Sequence, residues 1–166
     1  SLQLICGSAR DLLEHVDSQD VITFTGSADT GKMLKTSKSI VDNAVPFNME
    51  ADSLNCSILG STATPDTEEF KLFIKEVSRE MTVKTGQKCT AIRRIIVPEN
   101  LSDAVVKALS DRLKTTTIGN PSVEGVRMGS LASREQVDSV KGAVKQLLNS
   151  CQVAYGNYDS FEVMGA

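Results

Sequence analysis

The chain has 166 residues, of which 40% are hydrophobic and 23% are charged, and its net charge is -3. This length suits one ordinary domain, or one small domain with part of another, and the composition is typical of a soluble globular chain and excludes disorder. No basic block exceeds Arg93-Arg94, so we predict that the protein does not bind nucleic acid. No apolar run approaches the roughly 20 residues that cross a bilayer, so we predict that it does not bind a membrane. No signal-peptide pattern opens the chain, and we predict a cytoplasmic protein.

The first third of the chain is predicted to alternate strands with helices. Apolar or β-branched runs predict strands at 2–6, 21–25, 45–49 and 55–59, and apolar spacing predicts helices at 9–16, capped by Ser8, and at 29–39. Strand, helix, strand, glycine turn and helix form the pattern of an open parallel α/β sheet. Ligands of such sheets bind beyond the carboxyl ends of the strands, which is where Gly26 falls.

The rest of the chain continues the mixed pattern. Helices are predicted at 66–84, at 101–113 and after Ser133, and the first of them carries an apolar stripe of core type, consisting of Phe70, Phe73, Ile74, Val77 and Met81. Further segments are predicted as a central strand at 91–97, a turn at 117–121, a short strand at 128–132, a strand at 151–155 and a strand-like end without a partner at 161–164. Gly86 is expected to stop the first helix, because glycine accepts the left-handed conformation that helix ends require.

A phosphate-type turn follows the strand at 21–25. The run from Gly26 to Lys32 fits the first seven positions of a nucleoside-triphosphate loop, G-x-x-x-x-G-K. The eighth position should be Ser or Thr to hold magnesium and is Met33, which argues against a triphosphatase. Two interpretations stay open: a phosphate bound by backbone N–H groups at a helix start, or glycines needed only for a tight turn.

The four cysteines are scattered, and one of them stands in a distinctive setting. They are Cys6, Cys56, Cys89 and Cys151, with no C-x-x-C pair, so that neither a zinc site nor a disulfide framework is expected. Cys89 lies on the connection between a predicted helix and a predicted strand, where a side chain is held firmly and can meet a small molecule. Lys88, Arg93 and Arg94 supply positive charge that favours a reactive thiolate. The alternative is a buried structural cysteine.

Taken in order, these segments resemble the aldehyde dehydrogenase family. The resemblance rests on Phe24-Thr25-Gly26-Ser27 with Gly31, on the carboxylate Glu50 after a strand, on Gly86-Gln87-Lys88-Cys89 and on Gly119-Asn120-Pro121. Glu50 and Cys89 are 39 residues apart (89 − 50), close to the usual gap of the family. Within the family the chain is most similar to the dehydrogenase part of bifunctional phenylacetate-degradation enzymes.

The resemblance implies a fold and a place in a longer protein. The fold would be α/β, a three-layer aldehyde dehydrogenase-like fragment. Residues 1–49 would be the C-terminal part of the Rossmann-like NAD(P)-binding domain, and residues 50–166 the N-terminal part of the catalytic domain. The isolated fragment is expected to be inactive and to bind the cofactor weakly. Its exposed sheet edges, and the subunit contacts of the family, imply a homo-oligomer.

The resemblance also implies the chemistry. Cys89 would attack the aldehyde carbon, Glu50 would activate the water that hydrolyses the resulting thioester, and the phosphates of NADP or NAD would rest near Gly26, Ser27 and Gly31. The branch implies a ring-opened semialdehyde attached to coenzyme A as substrate, and a preference for NADP. One departure is the sequence after Glu50, since the family usually has Glu-Leu-Gly-Gly and this chain lacks both glycines. That puts in question how Glu50 moves between positions.

Two other functions remain open at this point. One is a phosphate- or nucleotide-binding α/β module without chemistry, in which Cys89 is inert. The other is a purely structural α/β domain. Only the dehydrogenase interpretation requires Cys89 to react faster than the other three cysteines.

Overall fold

The computed structural model describes residues 2–7 and 11–165, and the chain divides into two compact units. The N-terminal unit ends at Ser53 and the C-terminal unit begins at Leu54. The sequence places its domain boundary slightly earlier, between residues 49 and 50. The assignment of the two units to a cofactor domain and a catalytic domain stays a prediction.

The N-terminal unit is built on a parallel pair of strands. Strand β1 spans Ile22–Gly26 and strand β2 spans Phe47–Ala51, and the connection between them carries helices α1, Ala28–Lys35, and α2, Lys38–Asp42. Both strands were expected within two residues of these bounds. The single helix expected at 29–39 is instead two helices, because Ser37 between them has an extended conformation with ψ 147°.

Close packing of α1 on the two strands holds this unit together. The rings of Phe24 and Phe47 stack with their centroids 6.5 Å apart. Gly31 is buried within α1, and a Cβ atom there would overlap Met49 of β2 and lie 3.1 Å from the ring of Phe24. The absence of a side chain at Gly31 therefore lets the helix backbone approach both strands.

The start of the chain differs from its prediction. Residues 2–6 do not form a strand, and Leu2, Leu4 and Ile5 are exposed, because no described strand pairs with them. The described part of the helix expected at 9–16 is a short 3-10 helix, Asp11–His15. The expected cap Ser8 lies outside the described residues.

The C-terminal unit contains a second parallel pair and three helices. Their bounds are β3 Cys56–Ile58, α3 Glu68–Thr82, β4 Arg94–Ile96, α4 Ser102–Leu113 and α5 Arg134–Leu147. A buried apolar cluster joins α3 to α4 and to the segments around β3, and it consists of Leu59, Ala63, Phe70, Ile74, Val77, Leu101, Val105 and Leu109. Three residues of the predicted apolar stripe of α3 thus belong to the core, whereas Phe73 is only partly buried and Met81 is 37% exposed.

The last third of the chain is less regular than predicted. The strand expected at 151–155 is wrong, since this segment is irregular and exposed. The strand expected at 128–132 is reduced to one bridge between Ile118 and Met128. The end, which was expected to have no following element to pair with, forms one bridge to an earlier residue, from Met164 to Gly119. These segments do not form continuous ladders, and β-branched or apolar content alone did not distinguish them from strands.

Candidate active site

The connection that carries Cys89 begins with a reversal of the chain. Helix α3 ends at Thr82, and Lys84, Thr85 and Gly86 then have φ values of 51°, 58° and 70°. Gly86 is left-handed as expected, but the helix ends before it and two residues with side chains share the same conformation. A Cβ atom at Gly86 would lie 3.2 Å from the carbonyl oxygen of Met81, so glycine also provides room for the close return of the chain.

Asn55 holds the backbone from Cys89 to Arg94. Its side-chain Nδ2 donates to the carbonyl oxygen of Cys89 at 2.5 Å and to that of Ala91 at 3.2 Å. The backbone carbonyl oxygen of Asn55 accepts from the N–H groups of Arg93 and Arg94, at 2.9 and 3.2 Å. Sequence reasoning missed this residue, although a polar amide at the start of the strand predicted at 55–59 is a usable signal, because such a group needs a partner.

The positive charge near Cys89 is not distributed as expected. Lys88 Nζ lies 2.8 Å from both carboxylate oxygens of Glu80, and both side chains are only 23% exposed. The charge of Lys88 is therefore paired, and its partner Glu80, eight residues earlier and near the end of α3, was not anticipated. Arg93 donates to the carbonyl oxygens of Gly86 at 2.9 Å and of Lys88 at 3.4 Å, so its guanidinium binds the backbone of the loop.

Residues 129–132 also bind the cysteine loop. Gln87 Oε1 accepts from the N–H of Ala132 at 2.8 Å, and Gln87 Nε2 donates to the carbonyl oxygen of Lys84 at 3.0 Å. Thr85 Oγ1 donates to the carbonyl oxygen of Gly129 at 3.0 Å. The side chains of Thr85 and Gln87 thus bind the cysteine loop to residues 129–132.

Cys89 itself is left accessible by these contacts. The residue is exposed and its thiol is free. Within the described part of the chain, the Cys89 N–H donates no hydrogen bond. The buried structural cysteine is therefore excluded, and a carbonyl compound at the thiol would meet an N–H group able to bind its oxygen.

Several hydrogen-bonding groups at the turn formed by Gly26 and Ser27 find their partners within the turn and α1. Ser27 Oγ caps α1 by accepting from the N–H of Thr30 at 3.2 Å, and Ser27 carbonyl accepts from Gly31 at 2.9 Å. Because α1 already begins at Ala28, the run from Gly26 to Lys32 is not a phosphate loop, and the resemblance to G-x-x-x-x-G-K is wrong in geometry. A Cβ atom at Gly26 would lie 2.5 Å from the ring of Phe24, so this glycine also serves packing.

Two N–H groups at this turn could still hold a phosphate. Among the described residues, no acceptor is bound to the N–H of Ser27 or of Asp29. Both belong to the start of α1, where backbone N–H groups and the helix dipole favour an anion. The donor set therefore fits one phosphate of a dinucleotide.

Glu50 lies within β2, not after it as predicted. It pairs with Thr25 of β1, is exposed, and its carboxylate bonds to no described residue. Asp52, two residues later, has φ 53° and accepts from the N–H of Ala28 at 3.2 Å through Oδ1. The carboxylate of Glu50 is thus accessible, whereas that of Asp52 is already bound to α1.

The predicted site residues fall in both units. Gly26, Ser27, Gly31 and Glu50 lie together in the N-terminal unit, on or between β1, α1 and β2, and Cys89 lies in the C-terminal unit. The pairing of Glu50 with Cys89 stays a prediction. Residues 2–7 and 11–165 contain no group of three or more His, Cys, Asp and Glu side chains placed to hold a metal ion, and no helix among them is long and apolar enough to cross a membrane.

Comparison with known proteins agrees with the resemblance seen in the sequence. The sequence model of the aldehyde dehydrogenase family matches residues 1–163. The 3,4-dehydroadipyl-CoA semialdehyde dehydrogenase of Aromatoleum evansii is 48% identical over all 166 residues, which cover 32% of that protein. The chain therefore spans about a third of the length of this relative.

Solved structures show the same fold. The betaine aldehyde dehydrogenase of Staphylococcus aureus in complex with NAD+ superposes with a TM-score of 0.72 and 26% identity, over 82% of this chain and 26% of that one. A double mutant of that enzyme, also with NAD+, gives a TM-score of 0.77 and 25% identity over 92% of this chain and 30% of the other. These structures confirm the predicted α/β fold of aldehyde dehydrogenase type.

Proposed function

The chain belongs to the aldehyde dehydrogenase family, since the family's sequence model matches nearly all of it, and from this we propose that the protein containing it oxidises an aldehyde to a carboxylic acid with NADP or NAD. The N-terminal unit would be the end of the cofactor domain, and the C-terminal unit would be the first part of the catalytic domain. The observation that carries the proposal is an exposed Cys89 on a loop whose backbone carbonyls at Cys89 and Ala91 are both bound by Asn55.

Cys89 is the proposed nucleophile. Its thiolate attacks the aldehyde carbon, a carbon–sulfur bond forms, and the carbonyl oxygen becomes the oxyanion of a thiohemiacetal. The free N–H of Cys89 is the donor on this chain that supports binding of that oxyanion. Fixing of the neighbouring carbonyls by Asn55 keeps the N–H and the thiol in a constant relation.

The start of α1 is the proposed binding place of the cofactor's phosphates. The N–H groups of Ser27 and Asp29 would donate to phosphate oxygens, and Gly26 contributes indirectly, because its missing side chain makes room for the Phe24 ring. Gly31 contributes indirectly, because its missing side chain lets α1 lie against β1 and β2. The dinucleotide, when bound, would supply the hydride acceptor for the thiohemiacetal carbon, and Cys89 would then carry the thioester.

Glu50 is the proposed general base. It takes a proton from a water molecule as the water oxygen attacks the thioester carbon, the carbon–sulfur bond breaks, and the Cys89 thiolate is restored. The exposed position of Glu50 near the end of β2, with no described partner for its carboxylate, supports this role.

The proposed substrate is a semialdehyde attached to coenzyme A. This rests on the relative that is 48% identical along the whole chain and is named as a CoA-linked semialdehyde dehydrogenase. The ring-opened semialdehyde of phenylacetate catabolism is the specific compound we propose, with NADP preferred. We also propose a cytoplasmic homo-oligomer. Apolar side chains left exposed on α5, such as Leu147, support burial against other protein surface in the whole assembly.

The test is a substrate comparison on the full-length protein. A CoA-linked semialdehyde, the same semialdehyde without coenzyme A, and a simple aliphatic aldehyde are each offered with NADP+ and with NAD+, and reduced cofactor is measured. We expect oxidation, with the highest kcat/KM for the CoA-linked compound and NADP+. Oxidation of all three aldehydes at equal kcat/KM would remove the substrate proposal alone. Cofactor binding without oxidation of any aldehyde would favour the non-catalytic nucleotide-binding module.

A further inference from the structure

Asp52 stands where the aldehyde dehydrogenase pattern usually has glycine. The usual sequence is Glu-Leu-Gly-Gly, and this chain has Glu50-Ala51-Asp52-Ser53. The backbone of Asp52 has a left-handed conformation, with φ 53°, which glycine adopts freely and other residues adopt at a cost. The contacts of the Asp52 side chain show what this residue contributes in that conformation.

The carboxylate of Asp52 binds the first turn of α1. Oδ1 accepts from the N–H of Ala28 at 3.2 Å, and the N–H of Asp52 donates to the carbonyl oxygen of Gly26 at 3.4 Å. Ala28 is the first residue of α1, and its N–H has no partner within the helix. A negative charge at a helix N-terminus is favourable, so Asp52 acts as an internal anion in that place.

This place adjoins the proposed phosphate position. The N–H of Ala28 lies between the N–H groups of Ser27 and Asp29 along the backbone, and these two are the ones left without a described acceptor. A phosphate held by them would come close to the carboxylate of Asp52, and like charges a few ångströms apart repel. Cofactor binding must therefore either tolerate this charge or displace it.

We propose that Asp52 is a positioning residue that competes with the cofactor's phosphate for the start of α1 and is released when the dinucleotide binds. The inference rests on the proposed function. In the free protein, Asp52 ties the end of β2, and with it Glu50, to α1. Binding of the dinucleotide breaks this tie and frees the segment that carries Glu50. When a ligand must displace an internal contact, its binding free energy is less favourable by the free energy needed to break that contact.

The experiment measures cofactor affinity in the full-length protein by titration calorimetry with NADP+ and NAD+. Asp52→Gly removes the competing carboxylate and suits the left-handed backbone, so we expect Kd to fall about tenfold. Asp52→Asn removes the charge but keeps an oxygen that can accept from Ala28, so we expect a decrease of about threefold. Asp103→Asn is the matched control, because it removes the same charge from the first turn of another helix, α4, without breaking a described bond, and we expect a change of less than about twofold.

A second measurement tests the bond between Asp52 and the Ala28 amide in the free protein. Hydrogen exchange at the Ala28 amide should be faster in Asp52→Gly than in the unmodified protein, because the amide loses its acceptor. If the unmodified protein binds the dinucleotide and neither Asp52 variant binds it more tightly, the role of Asp52 is overturned while the proposed function stands. If the unmodified protein and all three variants fail to bind NADP+ and NAD+, the proposed function fails and this inference with it. If Asp52→Gly does not fold, the cofactor Kd of Asp52→Asn decides whether Asp52 competes with the phosphate.

Discussion

The cysteine loop and the turn at Gly26 and Ser27 are organised in opposite ways. In the cysteine loop, side chains from elsewhere in the C-terminal unit bind backbone carbonyls and leave the reactive groups of Cys89 uncovered. At the turn, the side chains of Ser27 and Asp52 accept from N–H groups at the start of α1, which a ligand would otherwise bind. Under the proposed function, the loop is thus arranged for its chemistry before any ligand arrives, whereas the turn is arranged to remain stable without one.

This difference has a chemical reason. A nucleophile and its oxyanion donor must be positioned in advance, because groups that reorganise during the reaction stabilise the transition state less. A cofactor must enter and leave, so internal contacts that substitute for its phosphate limit the cost of an empty site. Changes to the two regions should therefore affect different quantities: rate for the loop, and cofactor affinity for the turn.

The largest effect is expected from Cys89→Ala in the full-length protein. Without the nucleophile no thioester forms, and kcat for aldehyde oxidation should fall by at least about a thousandfold. The Kd for the cofactor should stay the same, since the turn is unchanged. Cys151→Ala, which removes another exposed thiol, is the control and should keep normal activity. Substantial oxidation by Cys89→Ala would remove the nucleophile assignment.

The next effect is expected from Glu50→Gln. Loss of the general base should slow thioester hydrolysis by about a hundredfold or more and leave hydride transfer nearly unchanged. Rapid mixing should then show a burst of reduced cofactor followed by a slow phase. Glu69→Gln, at another exposed glutamate, should show no burst of this kind. Equal slowing of both phases by Glu50→Gln would mean that Glu50 is not the deacylating base.

A smaller effect is expected from Asn55→Ala. The variant loses the bonds to the carbonyls of Cys89 and Ala91, at about 1 kcal/mol of unfolding free energy for each. Loss of positioning should lower kcat by about tenfold, with the cofactor Kd unchanged. Asn100→Ala is the control, since the Asn100 side chain bonds to no described residue. A loss of stability with normal kcat would give Asn55 a structural role only.

The sequence predicted most of what regular patterns encode. The periodic apolar stripe of α3 and the β-branched run of β1 are present in the structure, because burial of one face determines both patterns. Residues 2–6 and 151–155 have the composition of strands but no continuous ladder, because strand formation depends on a partner that lies elsewhere in the chain.

The candidate site was predicted only in part for a similar reason. Glycine, glutamate and cysteine motifs name the residues that carry chemistry, and the structure finds Cys89 and Glu50 exposed. Contacts over long sequence separations cannot be derived from local pattern. Asn55 is 34 residues from Cys89, and Asp52 is 24 residues from Ala28. The bond from Asn55 to the loop and the bond from Asp52 to the turn could therefore be identified only from the folded structure.

The central claim is that the surroundings of Cys89 make it a nucleophile, and cysteine labelling tests it most directly. All four cysteines are exposed, so accessibility alone would give similar rates of alkylation. Brief treatment of the full-length protein with iodoacetamide, followed by mass spectrometry of each cysteine-containing peptide, gives the four rates separately. We expect Cys89 to react at least about tenfold faster than Cys6, Cys56 and Cys151. A rate for Cys89 equal to or below those of the other three would contradict the assignment.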